Sequence, residues 1–463
     1  MRVFSTLFTL LSIFFSFAHS DCTPDQIHLS LSDSYTLYPG RDSPMRAIFH
    51  TKEPCDSAYI TLTTPAGIQK LTATSNYCYK RNFTQGFFIS YVHTFDFPPL
   101  EYSKSYEYSC YGGDSGDKTL PKQVGPFKFY LPNPKYEGQE TNVVLFADMD
   151  DTEFGMPTIN RLTKIAQTNF SKIDAFFHIG DMAYNLPRNA GRRGDEYMRA
   201  IQPFTAIMPY MVTPGNHENF SNFSNFNMRF KMPLYKQTQN HYYSFGIGNI
   251  HFVTFNLDLV MMFPELRQPM LDWLKQDLDR ANKNRKEKPW VVALTHRPLY
   301  CSFQGSDDCL YNQQRFADFE DLLAEERVDL FVAGHVHIYE RMFPIRRGKV
   351  TPFEHSIYDI KFRRFMNPQS PIHIVQGMAG HRGDAGDPQD AYKGKDFTVK
   401  VSKEYSYLAV RSSNSTHLKV ENYESVTGTI NDYFYIIRTQ PPLQIMLPRP
   451  QKPSFPNDRH SHF

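Results

Sequence analysis

Phe176-Phe177-His178-Ile179-Gly180-Asp181-Met182-Ala183-Tyr184 is the stretch on which the fold turns. An apolar run of strand character ends in Gly-Asp, and a tyrosine follows three residues later. In open α/β sheets, side chains just beyond the C-terminal strand edge converge on the ligand crevice. An aspartate there can bridge two cations with its two oxygens, and a phenolate suits a hard, highly charged cation. Gly-Asp after a strand is also an ordinary turn. The stretch acquires meaning from others like it.

Four further apolar runs end in residues of ligand type. Val143-Val144-Leu145-Phe146-Ala147 stops at Asp148. Tyr210-Met211-Val212-Thr213 leads into Pro214-Gly215-Asn216-His217-Glu218. Trp290-Val291-Val292-Ala293-Leu294-Thr295 stops at His296, and Leu330-Phe331-Val332-Ala333 stops at Gly334-His335-Val336-His337. Helical periodicity lies between them: Ile159 to Thr168, Asp195 to Ile207, the face Leu271, Leu274 and Leu278, and the face Phe316, Phe319, Leu322 and Leu323. His251 to Phe255 and Pro371 to Gln376 read as further strands. This alternation predicts a layered α/β domain with helices outside the sheets. His335 and His337 alternate on an extended segment, so they can reach two adjacent cations. Each strand end taken singly is a turn or a surface histidine; five in one alternating segment point to a dinuclear metal site.

The preceding part of the chain differs. Ile27, Leu29 and Leu31 alternate with polar neighbours, as do Ile60 with Leu62, and Phe127 with Phe129 and Leu131. Turn clusters such as Tyr38-Pro39-Gly40 separate them. About seven short strands predict an immunoglobulin- or fibronectin-like β-sandwich, structural or docking in role, with Leu131-Pro132-Asn133-Pro134 as linker. The expected organisation is a signal peptide over 1–20, the sandwich over 21–135, a catalytic α/β domain over 136–440 including C-terminal strands, and a disordered Pro-rich tail over 441–463.

Arg2, the apolar run Leu7 to Phe15 and the small residues Ala18 and Ser20 fit a cleaved secretory signal, too short to span a membrane. No later run approaches transmembrane length, so a secreted or extracellular protein is expected, or one held in an acidic endomembrane compartment. Of six cysteines, Cys22, Cys55, Cys78 and Cys110 lie early, with pairing open. Cys301 and Cys309 lie close together and are expected to form a disulfide in an oxidising compartment. Sequons at Asn82, Asn169, Asn219, Asn222 and Asn414 are candidate glycosylation sites. With a net charge of +2 and 21% charged residues, neither sign dominates. That balance excludes nucleic-acid and polybasic membrane partners. Oligomeric state is not legible.

Asp148, Gly180-Asp181-x-x-Tyr184, Gly215-Asn216-His217-Glu218, His296 and Gly334-His335-x-His337 together resemble the motif set of the purple acid phosphatases, within the calcineurin-like metallophosphoesterases. His296-Arg297-Pro298-Leu299-Tyr300-Cys301, Asp307-Asp308-Cys309 and His337-Ile338-Tyr339-Glu340-Arg341 are most similar to the animal iron/zinc purple acid phosphatase-like (acid phosphatase type 7) group. The resemblance implies one Fe(III) per subunit held by Asp148, Asp181, Tyr184 and His337. It implies a second, divalent metal, Zn, Fe or Mn, held by Asp181, Asn216, His296 and His335, with Asp181 bridging. Carboxylate and phenolate favour the trivalent ion, and imidazoles with an amide suit the divalent one. The implied activity is that of an acid phosphatase hydrolysing phosphate monoesters, small or protein-borne, by in-line attack of a metal-bound hydroxide. His217, beside a ligand, is the implied catalytic residue that protonates the leaving alkoxide. Two other functions fit the same motifs: a phosphodiesterase or pyrophosphatase of the superfamily, and a secreted glycoprotein binding module with a silent site.

Two departures accompany the resemblance. The family's first block is Gly-Asp-x-Gly, but here it reads Ala147-Asp148-Met149-Asp150, which predicts altered loop geometry or a competing acid. Plant members carry histidines shortly after the position of His296, and Tyr300 to Leu310 contains none. Substrate preference therefore does not transfer from them.

Overall fold

The structure is a computed structural model and describes residues 22–36, 43–55, 57–84, 86–113, 122–303, 307–353, 363–382 and 395–439. The expected signal peptide and tail lie outside these residues.

The N-terminal part is an all-β sandwich of two four-stranded antiparallel sheets. One orders the strands Asp25–Leu31, Met45–Thr51, Gly86–Asp96 and Ser75–Phe83; the other orders Gly67–Thr72, Tyr59–Thr64, Lys104–Tyr111 and Gln123–Leu131. Alternate apolar residues face inward, and Phe97, Tyr108 and Phe129 are buried in mutual ring contact. The described residues of the sandwich hold eight strands, against about seven expected. Gly67–Thr72 is an edge strand with no fully buried residue. Cys22 pairs with Cys55, while Cys78 is exposed and Cys110 buried, both as thiols.

Two larger sheets follow. A seven-stranded sheet orders Tyr210–Thr213, Ala175–Ile179, Thr141–Phe146, Ser406–Ser412, His417–Glu424, Ile430–Ile437 and Arg364–Met366. An eight-stranded sheet runs Tyr242–Ile247, Ile250–Phe255, Trp290–Thr295, Leu330–Ala333, Ile372–Gln376, Tyr339–Arg346 and Lys349–Val350, with Thr398–Ser402 paired to Tyr339–Arg346. The strands that end in chemistry pair in parallel within each sheet, so their C-terminal ends share an edge. Thr141–Phe146, Ala175–Ile179, Trp290–Thr295 and Leu330–Ala333 are buried throughout, as expected of parallel strands covered on both faces. Helix Met156–Asn169 starts with proline in its first turn and buries Ile159, Leu162 and Ala166. Helix Arg267–Lys283 buries Met270, Leu274, Leu278 and Ala281 along one stripe.

The expected linker is not a free tether. Pro132 O accepts from the Tyr35 hydroxyl at 2.5 Å, Asn133 O from Gly248 N at 2.8 Å, and Pro134 O from the Lys288 ammonium. Arg229 joins the sandwich to the α/β part. Its fully buried guanidinium meets Gln26 Oε1, donates to Asn225 Oδ1 at 3.2 Å and Gly191 O at 3.1 Å, and pairs with Asp195 at 2.8 Å. Removing the guanidinium leaves the Gln26, Asn225 and Gly191 oxygens and the half-buried Asp195 without this donor. Arg229→Ala is expected to lower stability by about 3 kcal/mol, read as a lower urea midpoint at unchanged slope.

His373, on the strand Ile372–Gln376, is buried between the rings of Tyr300 and Phe331, and neither ring nitrogen has a partner among the described residues. Burial pushes its pKa down to about 3. The unfolded chain takes up a proton near pH 6.5 that the folded imidazole refuses until about pH 3, so stability falls as pH drops through that window. His373→Phe should flatten the stability–pH slope by up to roughly 1.4 kcal/mol per pH unit, measured by denaturant titration at pH 6, 5 and 4.

Candidate metal centre

Every residue expected at the site converges on the edge where the strands end. Asp148 is fully buried after Thr141–Phe146. Its Oδ2 accepts the amide of His335 at 2.8 Å, and its Oδ1 lies 3.3 Å from the Tyr184 hydroxyl and 3.5 Å from His337 Nε2. Tyr184 closes the triangle, its hydroxyl 2.8 Å from His337 Nε2. A second group surrounds Asp181. Its Oδ2 is 3.2 Å from His296 Nε2, which lies 3.1 Å from Asn216 Oδ1. Ligand atoms of Asp181, His296 and His335 all fall within 4.8 Å of one another. The first set offers a carboxylate, a phenol and an imidazole, and the second a carboxylate, an amide and two imidazoles.

The backbone is bent to achieve this. Asp148, Asp181, Ala183, Tyr184 and His335 all have positive φ, between 41° and 71°. Each left-handed residue without glycine costs about 1–3 kcal/mol, and such strain clusters at functional sites. Close approach also demands glycines. A Cβ on Gly180 would stand 2.6 Å from His296 Nδ1, and one on Gly334 would stand 2.5 Å from Asp148 Oδ2 and 2.6 Å from the Ala147 methyl.

The histidine tautomers are set by their outer partners. His296 Nδ1 donates to Ile179 O at 2.9 Å, leaving Nε2 toward Asp181 and Asn216. His335 Nε2 meets Asp308 Oδ2 at 2.5 Å and lies 3.1 Å from Arg297 Nη1. Its Nδ1 is buried with no hydrogen-bond partner among the described residues. An orphaned imidazole nitrogen beside a carboxylate and a second imidazole is what a metal ligand leaves when no ion is present. The donor set therefore fits a pair of cations. Burial disfavours charge on His296, yet the Asp181 and Asp148 carboxylates outweigh it and hold its pKa up at about 10. Burial likewise opposes charge on Asp181, and His296 overrides it, holding the carboxyl well below the usual range.

Several functional residues carry no strand-end signal. Glu218, inside the Gly215-Asn216-His217-Glu218 block, is buried and accepts the amides of Asp181 at 2.8 Å, Met182 at 2.9 Å and Gly215 at 2.8 Å. Asn185 offers its Oδ1 to His217 Nδ1. Arg297 bridges Asp258 at 2.5 Å and Asp308 at 2.6 Å, which fixes the carboxylate that holds His335. Cys301 is bonded to Cys309, next to Asp308, as expected. The carboxylate that replaces the second glycine is engaged outside the ligand set. Ala147 is buried against the site, and both Asp150 oxygens are engaged: Oδ1 accepts from Thr152 N and Oγ1, and Oδ2 from Arg382 N. Of the sequon asparagines, Asn82, Asn222 and Asn414 are exposed, and Asn169 and Asn219 are half-buried.

Residues 141–339 match the calcineurin-like phosphoesterase family, and residues 370–433 match the family described as iron/zinc purple acid phosphatase-like protein C. Acid phosphatase type 7 of Homo sapiens is 31% identical over 432 residues, covering 90% of this chain and 91% of its own length. The chain belongs to the purple acid phosphatase family. Within that family, purple acid phosphatase 18 of Arabidopsis thaliana is 26% identical, over 86% of this chain and 80% of its own. A purple acid phosphatase solved from yellow lupin (Lupinus luteus) seeds superposes with a TM-score of 0.71 at 19% identity, covering 90% of this chain and 74% of that one. It shares the fold, sandwich included.

Because the Asp148 carboxylate and the Ala147 methyl fill the space a Gly334 Cβ would need, Gly334→Ala should displace Asp148. The variant is expected to bind fewer metal ions per chain than wild type, as measured by elemental analysis after dialysis.

Proposed function

We propose that this purple acid phosphatase-family protein is a secreted glycoprotein that hydrolyses phosphate monoesters, with a dinuclear Fe(III)–M(II) centre as its cofactor. Asp148, Asp181, Tyr184 and His337 would hold the Fe(III). Asp181, Asn216, His296 and His335 would hold Zn, Fe or Mn. The observation that carries this reading is the meeting of seven donor residues from five strand-end loops in two sets, one around Asp148 and one around Asp181. Bound there, two cations would supply an activated water and a clamp on the phosphoryl oxygens.

The chain's own groups supply the rest. Glu218 holds the loops of Asp181 and Asn216 together through three amides, so neither can relax when the substrate's charge arrives. His217 is a third exposed on its side chain, and its backbone N–H donates to Asp181 Oδ1 at 2.9 Å. Its Nδ1 is engaged by Asn185, which directs Nε2 into the cleft, 3.8 Å from Asp181 Oδ2. A proton at Nε2 can pass to the ester oxygen as the bond to phosphorus breaks, while Nδ1 stays bonded to the amide. Asn185 therefore sets the direction of proton delivery.

Secretion is supported by the apolar N-terminal run and the two disulfides, Cys22–Cys55 and Cys301–Cys309. Among the described residues, no helix is long and apolar enough to cross a membrane. The exposed sequons Asn82, Asn222 and Asn414 are the best placed for glycan attachment.

Purified protein loaded with iron and zinc should turn over an aryl phosphate; no turnover with both metals bound would sink the phosphatase reading. Iron-loaded, oxidised protein should be coloured by a phenolate charge-transfer band that Tyr184→Phe abolishes. His217→Ala should keep both metals yet lose roughly 10²–10⁴ in kcat on alkyl phosphates. Its loss on a nitrophenyl ester should be smaller, since that leaving group needs little protonation. Equal losses on both esters would refute the proton-donor role.

A further inference from the structure

Asp150 stands where the family's first block has its second glycine, and its carboxylate reaches a loop far along the chain. Met149 pairs with Gly380 in a short parallel bridge. Asp150 N donates to Gly380 O at 3.0 Å, and Asp150 Oδ2 accepts from Arg382 N at 3.1 Å. The peptide groups on either side of His381 are thus both fixed by one residue. Asp150 itself is fixed, because its Oδ1 accepts from Thr152 N at 2.9 Å and Thr152 Oγ1 at 2.6 Å. The approach is tight: Gly380 has φ +115°, and a Cβ there would lie 3.0 Å from Gly155 Cα.

Between these two anchors the His381 imidazole lies flat on the Tyr184 ring, with centroids 3.5 Å apart and planes 22° from parallel. It also stands edge-on to His337, with centroids 5.3 Å apart. Tyr184 carries the His217 ring as well, at 4.7 Å. A planar group stacked on a phenol restricts rotation of that ring and keeps water off the covered face. A glycine at position 150 would offer no carboxylate to Arg382 N.

We propose that Asp150 and His381 form a clamp in which the imidazole fixes the plane of the Tyr184 phenol and screens it from water, making His381 a positioning residue for Tyr184. Its spectroscopic consequence rests on Tyr184 being the Fe(III) phenolate of the proposed function. Opening the clamp lets water hydrogen-bond to the phenolate, lowers the energy of its donor electrons and raises the energy of charge transfer. His381→Ala in iron-loaded, oxidised protein should therefore move the visible band to shorter wavelength. His381→Phe, which keeps a planar ring without the nitrogens, should hold it at the wild-type position. Asp150→Gly should shift the band as His381→Ala does, and the double variant no further. A band unmoved by His381→Ala, or moved equally by His381→Phe, overturns the proposal.

A metal-free arm separates this outcome from failure of the ligand assignment. In protein selectively labelled at tyrosine and histidine, nuclear Overhauser contacts between the Tyr184 and His381 rings are expected in wild type and expected to vanish in Asp150→Gly. Wild type with these contacts but without a visible band refutes Tyr184 as ligand and leaves the clamp standing. Wild type without the contacts overturns the clamp.

Discussion

The Glu218 carboxylate is the constraint on which the site depends. It accepts three amide hydrogens from two loops, those that follow Ala175–Ile179 and Tyr210–Thr213. Those loops carry Asp181, Tyr184, Asn216 and His217. A carboxylate without water around it is costly unless its lone pairs are satisfied. Burial pushes the Glu218 pKa up to about 8, with Asp181 adding to the rise and the amides opposing it. The loops cannot separate without stranding that carboxylate. The same bonds hold Asp181 in its left-handed conformation, so strain in the backbone and satisfaction of a buried acid are two sides of one arrangement.

The second tier of support is ionic. Arg297 fixes Asp308, and Asp308 engages one nitrogen of His335, which decides that the other nitrogen faces inward. The Cys301–Cys309 bridge encloses the segment that delivers Asp308. This part of the site thus relies on an oxidising environment, whereas the Asp148–Tyr184–His337 side relies on packing and backbone hydrogen bonds.

The sequence carries several ligand positions plainly because each stands at the end of a mostly apolar run, and a parallel strand buried on both faces announces where it ends. Asp148, Asp181, His296 and His335 are legible for that reason. Asn185, Asp308 and His381 are not, since each acquires its role from a contact with a distant loop: His217 for Asn185, His335 for Asp308, Tyr184 for His381. Nothing in the local pattern around His381 distinguishes it from a surface histidine. Asp150 reads as a departure from a glycine frame because composition cannot say where a carboxylate points. Both of its oxygens turn away from the ligands toward Thr152 and Arg382.

Sheet order has a consequence for the order of synthesis. Thr141–Phe146, whose end bears Asp148, sits between Ala175–Ile179 and Ser406–Ser412. One of its neighbours is made soon after it, the other only after every strand of the eight-stranded sheet. Until then an apolar strand, buried throughout in the finished sheet, presents an open edge of unpaired amides and carbonyls. A polypeptide terminated before Ser406 would keep that edge permanently and would be prone to strand-to-strand association. That edge is covered when Ser406–Ser412, the first strand of the hairpins that run to Ile430–Ile437, pairs with it.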